Sequence, residues 1–207
     1  MTIPVLLDPG HPSTGGDKGC VAEGIEEYEY TYQFCEMVCD HVTNAGYPVS
    51  MYSTRDTKIQ VVSHDGRAAI AKAVDAELVL SVHVNSYVNE SLHGAYAFSL
   101  ANDDIAAELG DLWLRCCPEP HYVKGRKTII IDPVHMVHRY ERRINNVLRR
   151  YNPIPALLLE LAFASHKEDR AGLLDNATQQ GMMGAIFALL ARFRQLQEKT
   201  TYPTFNG

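Results

Sequence analysis

Two histidines and two glutamates stand where apolar strands run out into loops. His11 follows Leu6-Leu7-Asp8-Pro9-Gly10, His83 follows Leu80-Ser81-Val82, and Glu160 closes Pro155-Ala156-Leu157-Leu158-Leu159. Glu27 follows Gly24-Ile25-Glu26 on the far side of a glycine-rich loop. Imidazole nitrogen and carboxylate oxygen are zinc donors, and three of them leave one position of a tetrahedral ion open, as in catalytic sites. The chemistry such a set points to is metal-assisted hydrolysis. Each residue also has an ordinary reading. The chain has nine histidines, most of which must be surface or hydrogen-bonding residues, and Glu27 lies among Glu23, Glu26 and Glu29, which the dipole of a helix start would favour without any further role. Glu160 resists that reading best, because a carboxylate ending an apolar strand is costly to bury without a partner.

The elements that must position these groups follow from hydrophobic periodicity. Ile3 to Leu7 reads as a short buried strand, and Pro9 to Gly24, rich in Gly, Pro, Ser and Thr, as a loop. Tyr30, Phe34, Met37, Val38 and Val42 recur at helical spacing, and Gly46 stands where that helix should stop. Pro48 to Ser53 reads as a second strand, Val61 to Val74 as a second helix, and Glu77 to Val82 as a third strand leading to His83. Gly94 to Leu100 is a further strand, Ile105 to Cys116 a helix, Val137 to Arg150 a helix, Pro155 to Glu160 a central strand, and Asn176 to Gln197 the last long helix. Between Pro118 and Tyr140 the pattern is hardest to read, with a β-rich Thr128-Ile129-Ile130-Ile131 inside it.

Strands alternating with helices of this length imply βαβ units. The expected fold is α/β: a single domain with a twisted, mostly parallel sheet flanked by helices on both faces. Residues 1–199 form the domain and 200–207 a loosely held tail. In such a sheet, ligands bind beyond the carboxyl ends of the strands. His11, Glu27, His83 and Glu160 therefore fall on one rim.

Composition narrows the partners. With 207 residues, 46% hydrophobic, the chain can bury a substantial core, and its net charge of -6 argues against a nucleic-acid partner, which calls for a basic patch. No apolar run reaches transmembrane length, so no integral membrane contact is expected. The first residues carry no basic stretch followed by an apolar one, so no signal peptide is visible and synthesis in the cytoplasm is expected. Five cysteines include Cys35 and Cys39 at helical spacing and the neighbours Cys116 and Cys117. Neither pair has CxxC spacing, and we expect reduced, buried, inert thiols.

Several strings occur together in a family-specific order: Leu6-Leu7-Asp8-Pro9-Gly10-His11, Gly24-Ile25-Glu26-Glu27, Ser53-Thr54-Arg55-Asp56, Gly66-Arg67-Ala68-Ala69-Ile70-Ala71, Leu80-Ser81-Val82-His83-Val84-Asn85, His93-Gly94-Ala95 and Leu158-Leu159-Glu160-Leu161-Ala162-Phe163. In this the chain resembles zinc-dependent N-acetylmuramoyl-L-alanine amidases of the third amidase family, the catalytic domain of many autolysins and phage endolysins. The resemblance implies one Zn2+ per chain held by His11, Glu27 and His83, with Glu160 as the catalytic carboxylate. Glu27, rather than Glu26 or Glu23, follows from the family's Gly-x-x-Glu spacing. It further implies cleavage of the amide between N-acetylmuramic acid and L-alanine, with the peptidoglycan stem peptide and muramyl group as the partners. Asn85 and His93 become candidates for contacts to the substrate or behind the ligands.

The chain departs from the family pattern at Pro12-Ser13-Thr14, which stand where further glycines are usual, and across 116–140. His135 and His138, three apart in that region, read as surface or substrate-rim residues rather than a metal pair. The lack of a visible signal points to action at the cell wall after phage-type release. The rival readings are a zinc peptidase or amidohydrolase acting on free peptides, and a catalytically inactive wall-binding homologue.

Overall fold

The computed structural model describes residues 2–11, 18–55, 62–89, 91–132 and 139–201. In chain order the elements are β1 (Ile3–Pro9), β2 (Val21–Ala22), β3 (Ile25–Glu26), α1 (Glu27–Asn44), β4 (Val49–Ser53), α2 (His64–Ala73), β5 (Leu78–Asn85), β6 (Tyr96–Leu100), α3 (Asp104–Cys116), β7 (Ile129–Ile131), α4 (Arg139–Leu148), β8 (Ala156–Phe163), α5 (Lys167–Leu174) and α6 (Asn176–Thr201). The main sheet has six strands in the order β4-β1-β5-β8-β6-β7. Four of them, β4, β1, β5 and β8, run parallel; β6 lies antiparallel on β8 and β7 runs parallel to β6. The sheet is thus mostly parallel, as expected.

Helices cover both faces, and the strand alternation shows why. Val5 and Leu7 of β1, with Leu157 and Leu159 of β8, join one cluster with Phe34 and Val38 of α1, Trp113 of α3 and Leu189 and Phe193 of α6. Leu6 and Leu158, pointing the other way, join Ala68 and Ala71 of α2 and Ile144 and Leu148 of α4. Successive strand residues face opposite sides, so a sheet sandwiched between helix layers requires unbroken apolar runs. All eight residues of β8 are buried.

Local signals set the helix ends. Ser63 caps α2 by accepting from the Gly66 N–H (3.1 Å), and Asp103 caps α3 by accepting from the Ala106 N–H (2.9 Å). α1 has no side-chain cap; instead the preceding chain folds back, and the carbonyls of Cys20 and Lys18 take the N–H groups of Glu27 (3.0 Å) and Tyr28 (3.4 Å). Just beyond α1, Gly46 adopts the left-handed conformation (φ 62°), where the sequence places the stop.

Four features differ from expectation. The 9–24 loop ends in the β2–β3 hairpin, whose two-residue strands are too short to show a period, and Gly24 (φ 79°) makes its turn. α5 is a single eight-residue helix that the pattern did not reveal. β5 and β8 each continue past their apolar runs, so His83 and Asn85 are strand residues and Glu160 is fifth of eight in β8 rather than its last. Hydrogen bonding to neighbouring strands carries the ladder through these polar positions. α6 reaches Thr201, past the expected helix end at Gln197. Pro12-Ser13-Thr14, His135, His138 and residues 202–207 lie outside the described residues.

All five thiols are free. Cys35 and Cys117 are buried as expected, Cys20 and Cys39 are half-buried, and Cys116 is exposed at the end of α3, contrary to expectation. Among the described residues, no helix is long and apolar enough to cross a membrane.

Candidate active site

The fold brings His11, Glu27 and His83 together from three elements. One donor atom from each lies within 4.8 Å of the others. Glu27 Oε1 is 3.4 Å from His11 Nε2 and 3.1 Å from His83 Nδ1, and the two imidazole rings meet edge to face at 5.2 Å. Donors at about 2.0–2.1 Å from a tetrahedral zinc are separated by roughly 3.3–3.4 Å, so two nitrogens and a carboxylate at these distances fit such an ion.

Each donor is held by its element. His11 stands just past β1 with a left-handed backbone (φ 52°), a sparsely populated conformation for a residue with a side chain and one that clusters at functional sites. Glu27 is the first residue of α1, where the helix dipole favours negative charge. Its two oxygens also accept from the backbone N–H groups of Cys20 (2.8 Å) and Val84 (3.0 Å). Burial alone would raise the Glu27 carboxyl, but hydrogen bonds and charge from His11 and His83 outweigh it and hold it well below the carboxylate range. Glu27 is therefore ionised in the site.

Two glycines leave room for the donors. A Cβ on Gly10 would lie 2.6 Å from His83 Nδ1; one on Gly19, itself at φ 72°, would run into Glu27 Oε2 and come 2.7 Å from His11 Cδ2. This is a cradle that any side chain would fill.

Glu160 lies across from His83 in the β5–β8 register and is 6% exposed. Its Oε1 accepts from the Tyr140 hydroxyl (3.0 Å), and its Oε2 is buried without a hydrogen-bond partner among the described residues. Burial, reinforced by the charge of Glu27 and opposed by His83 and Tyr140, pushes the Glu160 carboxyl up to about 7. A group with that affinity for a proton can both take one and give it back near neutral pH. The pair of glutamates is thus split by environment, one held ionised and the other with its carboxyl raised toward neutral pH.

A second buried cluster stands behind the donors. Asp8, 1% exposed, accepts from Thr54 (2.8 Å) and Arg67 on one oxygen and from Ser81 (3.0 Å) and Tyr151 (2.7 Å) on the other. Arg67 also donates to the Pro9 carbonyl (2.7 Å). Arg55 donates to the carbonyls of Gly10 (3.3 Å) and Tyr28 (2.9 Å), tying together the backbones beside His11 and Glu27. Thr31 adds bonds to the Gly10 and Glu27 carbonyls.

Of the remaining expected residues, Asn85 sits behind Glu160: its Nδ2 donates to the Tyr140 oxygen (3.0 Å). His93 is exposed and its ring packs on that of His166 at 5.2 Å, while its carbonyl accepts from Arg126. Tyr140, Gly10 and Gly19 were not singled out from the sequence. Nothing in a local pattern marks Tyr140, which reaches Glu160 from a helix 20 residues away. Asp8 carried a usable signal, a carboxylate inside an apolar strand.

Fold and site together define an α/β domain with a partly buried two-histidine, one-glutamate donor set and a separate carboxylate near the carboxyl rim of a mostly parallel sheet. The family model described as N-acetylmuramoyl-L-alanine amidase matches residues 5–192, and the chain belongs to that family. It is 29% identical over 168 residues to the sporulation-specific N-acetylmuramoyl-L-alanine amidase of Bacillus subtilis (strain 168), covering 81% of this chain and 58% of that protein. It is 28% identical over 171 residues to the endolysin of Bacillus phage SPP1, covering 83% and 58%. The chain therefore spans less than two thirds of the length of these two relatives. The solved N-acetylmuramoyl-L-alanine amidase of Clostridium difficile 630 shares the fold, with a TM-score of 0.73 at 22% identity over 94% of this chain and 97% of that one.

Proposed function

We propose that this chain is a zinc-dependent amidase that hydrolyses the bond between N-acetylmuramic acid and L-alanine in peptidoglycan. The observation that carries this reading is the pairing, in a member of that family, of a three-donor cluster with a carboxylate whose second oxygen is buried and, among the described residues, without a hydrogen-bond partner. His11, Glu27 and His83 would hold the ion. Bound zinc would supply Lewis acidity, activating water and polarising the scissile carbonyl. Glu160 Oε2 takes the proton of the attacking water and returns it to the departing L-alanine amine, a cycle its near-neutral proton affinity suits. The Asp8 cluster, through Arg67 and Arg55, keeps the backbone beside His11 and Glu27 in place.

The decisive experiment digests purified peptidoglycan and asks which new ends appear. An amidase releases L-alanine amino groups without new reducing sugar ends. Glu160→Gln should lower turnover by about a hundredfold or more, the scale of losing a general base, with zinc content unchanged. Near-full activity in Glu160→Gln, or new sugar reducing ends from the wild type, would overturn the reading. Elemental analysis should find one zinc per chain, lost in His83→Ala; equal zinc in both defeats the donor assignment. Hydrolysis of stem peptides that lack the muramyl group would favour a peptidase instead.

The similarity to the SPP1 endolysin supports a further step. On this reading the protein is made in the cytoplasm and reaches the cell wall by phage-type release. Cells making it should lyse only once their membrane is permeabilised, and lysis without permeabilisation would refute that route.

A further inference from the structure

The mechanism above uses one oxygen of Glu160 and leaves the other bound to Tyr140, a residue with no role so far. The phenol is held at three points. Its ring packs edge to face on Phe98 of β6 (5.8 Å), its oxygen accepts from Asn85 Nδ2 (3.0 Å), and its hydroxyl reaches Glu160 Oε1 (3.0 Å). Asn85 is itself oriented, because its Oδ1 accepts from the Ser86 N–H (2.8 Å). An amide NH2 can only donate, and an ionised carboxylate can only accept. With Glu160 ionised the direction of the chain is therefore fixed: Asn85 donates to the phenol, and the single phenol proton goes to Glu160 Oε1.

This has a consequence for Glu160. Oε1 is committed to Tyr140, while Oε2 has no hydrogen-bond partner among the described residues. A carboxylate held at one oxygen by a phenol that is itself anchored on Phe98 and Asn85 presents the other in a defined place, and proton transfer depends steeply on such placement. We propose that Tyr140 is the positioning residue for the proton-carrying carboxylate, binding Glu160 through Oε1 so that Oε2 is the oxygen that exchanges protons, with Asn85 orienting the phenol. The inference rests on the role given to Glu160 under the proposed function. It also makes α4, which lies on the opposite face of the sheet from α1, a part of the machinery.

Tyr140→Phe is the test, because it removes the hydroxyl and keeps the ring against Phe98. Losing a hydrogen bond to a charged group corresponds to about 10- to 100-fold, and this loss should fall on kcat, with KM within about twofold, zinc content unchanged and the melting temperature within a few degrees of wild type. Asn85→Ala should lower kcat by about 3- to 10-fold alone and have no further effect in the Tyr140→Phe background, since it acts through the same phenol. A kcat for Tyr140→Phe within twofold of wild type overturns the proposal. A rise in KM with kcat intact overturns it too, making Tyr140 a substrate-binding group, and additive effects of the two substitutions refute the role of Asn85. Failure of the underlying reading looks different: Glu160→Gln would itself remain active. An inactive Glu160→Gln beside an unaffected Tyr140→Phe defeats this inference alone.

Discussion

Asp8 and Glu160 are both carboxylates buried in strands of one sheet, on β1 and β8 with only β5 between them, yet their surroundings give them opposite characters. Asp8 has four side-chain donors, including a guanidinium, and every oxygen is bonded. Among the described residues Glu160 has one donor, a second oxygen without a hydrogen-bond partner, and the charge of Glu27 nearby. Burial raises both carboxyls. At Asp8 the charge of Arg67 and the hydrogen bonds from Tyr151 and Thr54 reverse that effect and leave the carboxyl below its ordinary value, whereas at Glu160 burial prevails. The contrast teaches that burial alone does not set a carboxylate's proton affinity; the hydrogen bonds and charges that meet its oxygens decide it.

The sharpest way to break the comparison is to remove one charge from each site and measure stability. Asp8→Asn leaves Arg67 buried without its counter-ion, and breaking such a pair costs about 3–5 kcal/mol. Urea denaturation of the metal-free protein should show that loss. Glu160→Gln, which relieves a half-satisfied buried charge, should change stability by less than about 1 kcal/mol or raise it. Equal destabilisation by the two would erase the distinction drawn here.

Acid and base should separate the two groups next. Because the Asp8 carboxyl lies below its ordinary value in the folded state, its stabilisation is complete above the ordinary carboxylate range and is lost as pH falls through the folded value. The opposite holds at Glu160. Between its ordinary value of 4.5 and about 7 the folded metal-free protein keeps a proton that the unfolded chain has released, so stability falls as pH rises across that window. Denaturation curves from pH 3 to pH 8 should show that decline in the wild type and not in Glu160→Gln. A curve flat across the window in the wild type would contradict the assignment.

Two smaller effects sharpen the picture around Glu27. Gly19→Ala places a Cβ against Glu27 Oε2 at a left-handed backbone position, so chelator competition should show weaker zinc retention and stability should drop by about 1–3 kcal/mol. Glu26→Gln, one residue from a donor but exposed, should leave zinc content unchanged and stability within about 0.5 kcal/mol. Glu27→Gln should instead release the metal in the same chelator titration. Zinc loss in Glu26→Gln alone would move the donor by one residue.

Much of this could be read along the chain, because it depends on local periodicity. The apolar runs at Ile3 to Leu7, Glu77 to Val82 and Pro155 to Glu160 marked the central strands, the 3.6-residue period of Tyr30 to Val42 marked α1, and their alternation implied parallel pairing under two helix layers. The places of His11, Glu27, His83 and Glu160 at strand ends and at the start of α1 pointed to one rim, and the first three do cluster there. The two-residue strands β2 and β3 are too short to repeat their period, and α5 buries only Asp169, Gly172 and Leu173, so neither left such a trace.

What the tertiary structure alone decided was the state of each group once assembled. Residue type is common to Asp8, Glu27 and Glu160 as carboxylates, but the donors that set their charge come from Arg67, Tyr151, Val84, His11 and Tyr140, between 16 and 143 residues away in the chain. The exposure of Cys116 and the packing of His93 on His166 are likewise decided by distant chain. Sequence determined which atoms were present and which strands would carry them, because side-chain periodicity is a local property. Proton affinity is a property of the surrounding charge, donors and water, and those are set only when the strands and helices close on one another.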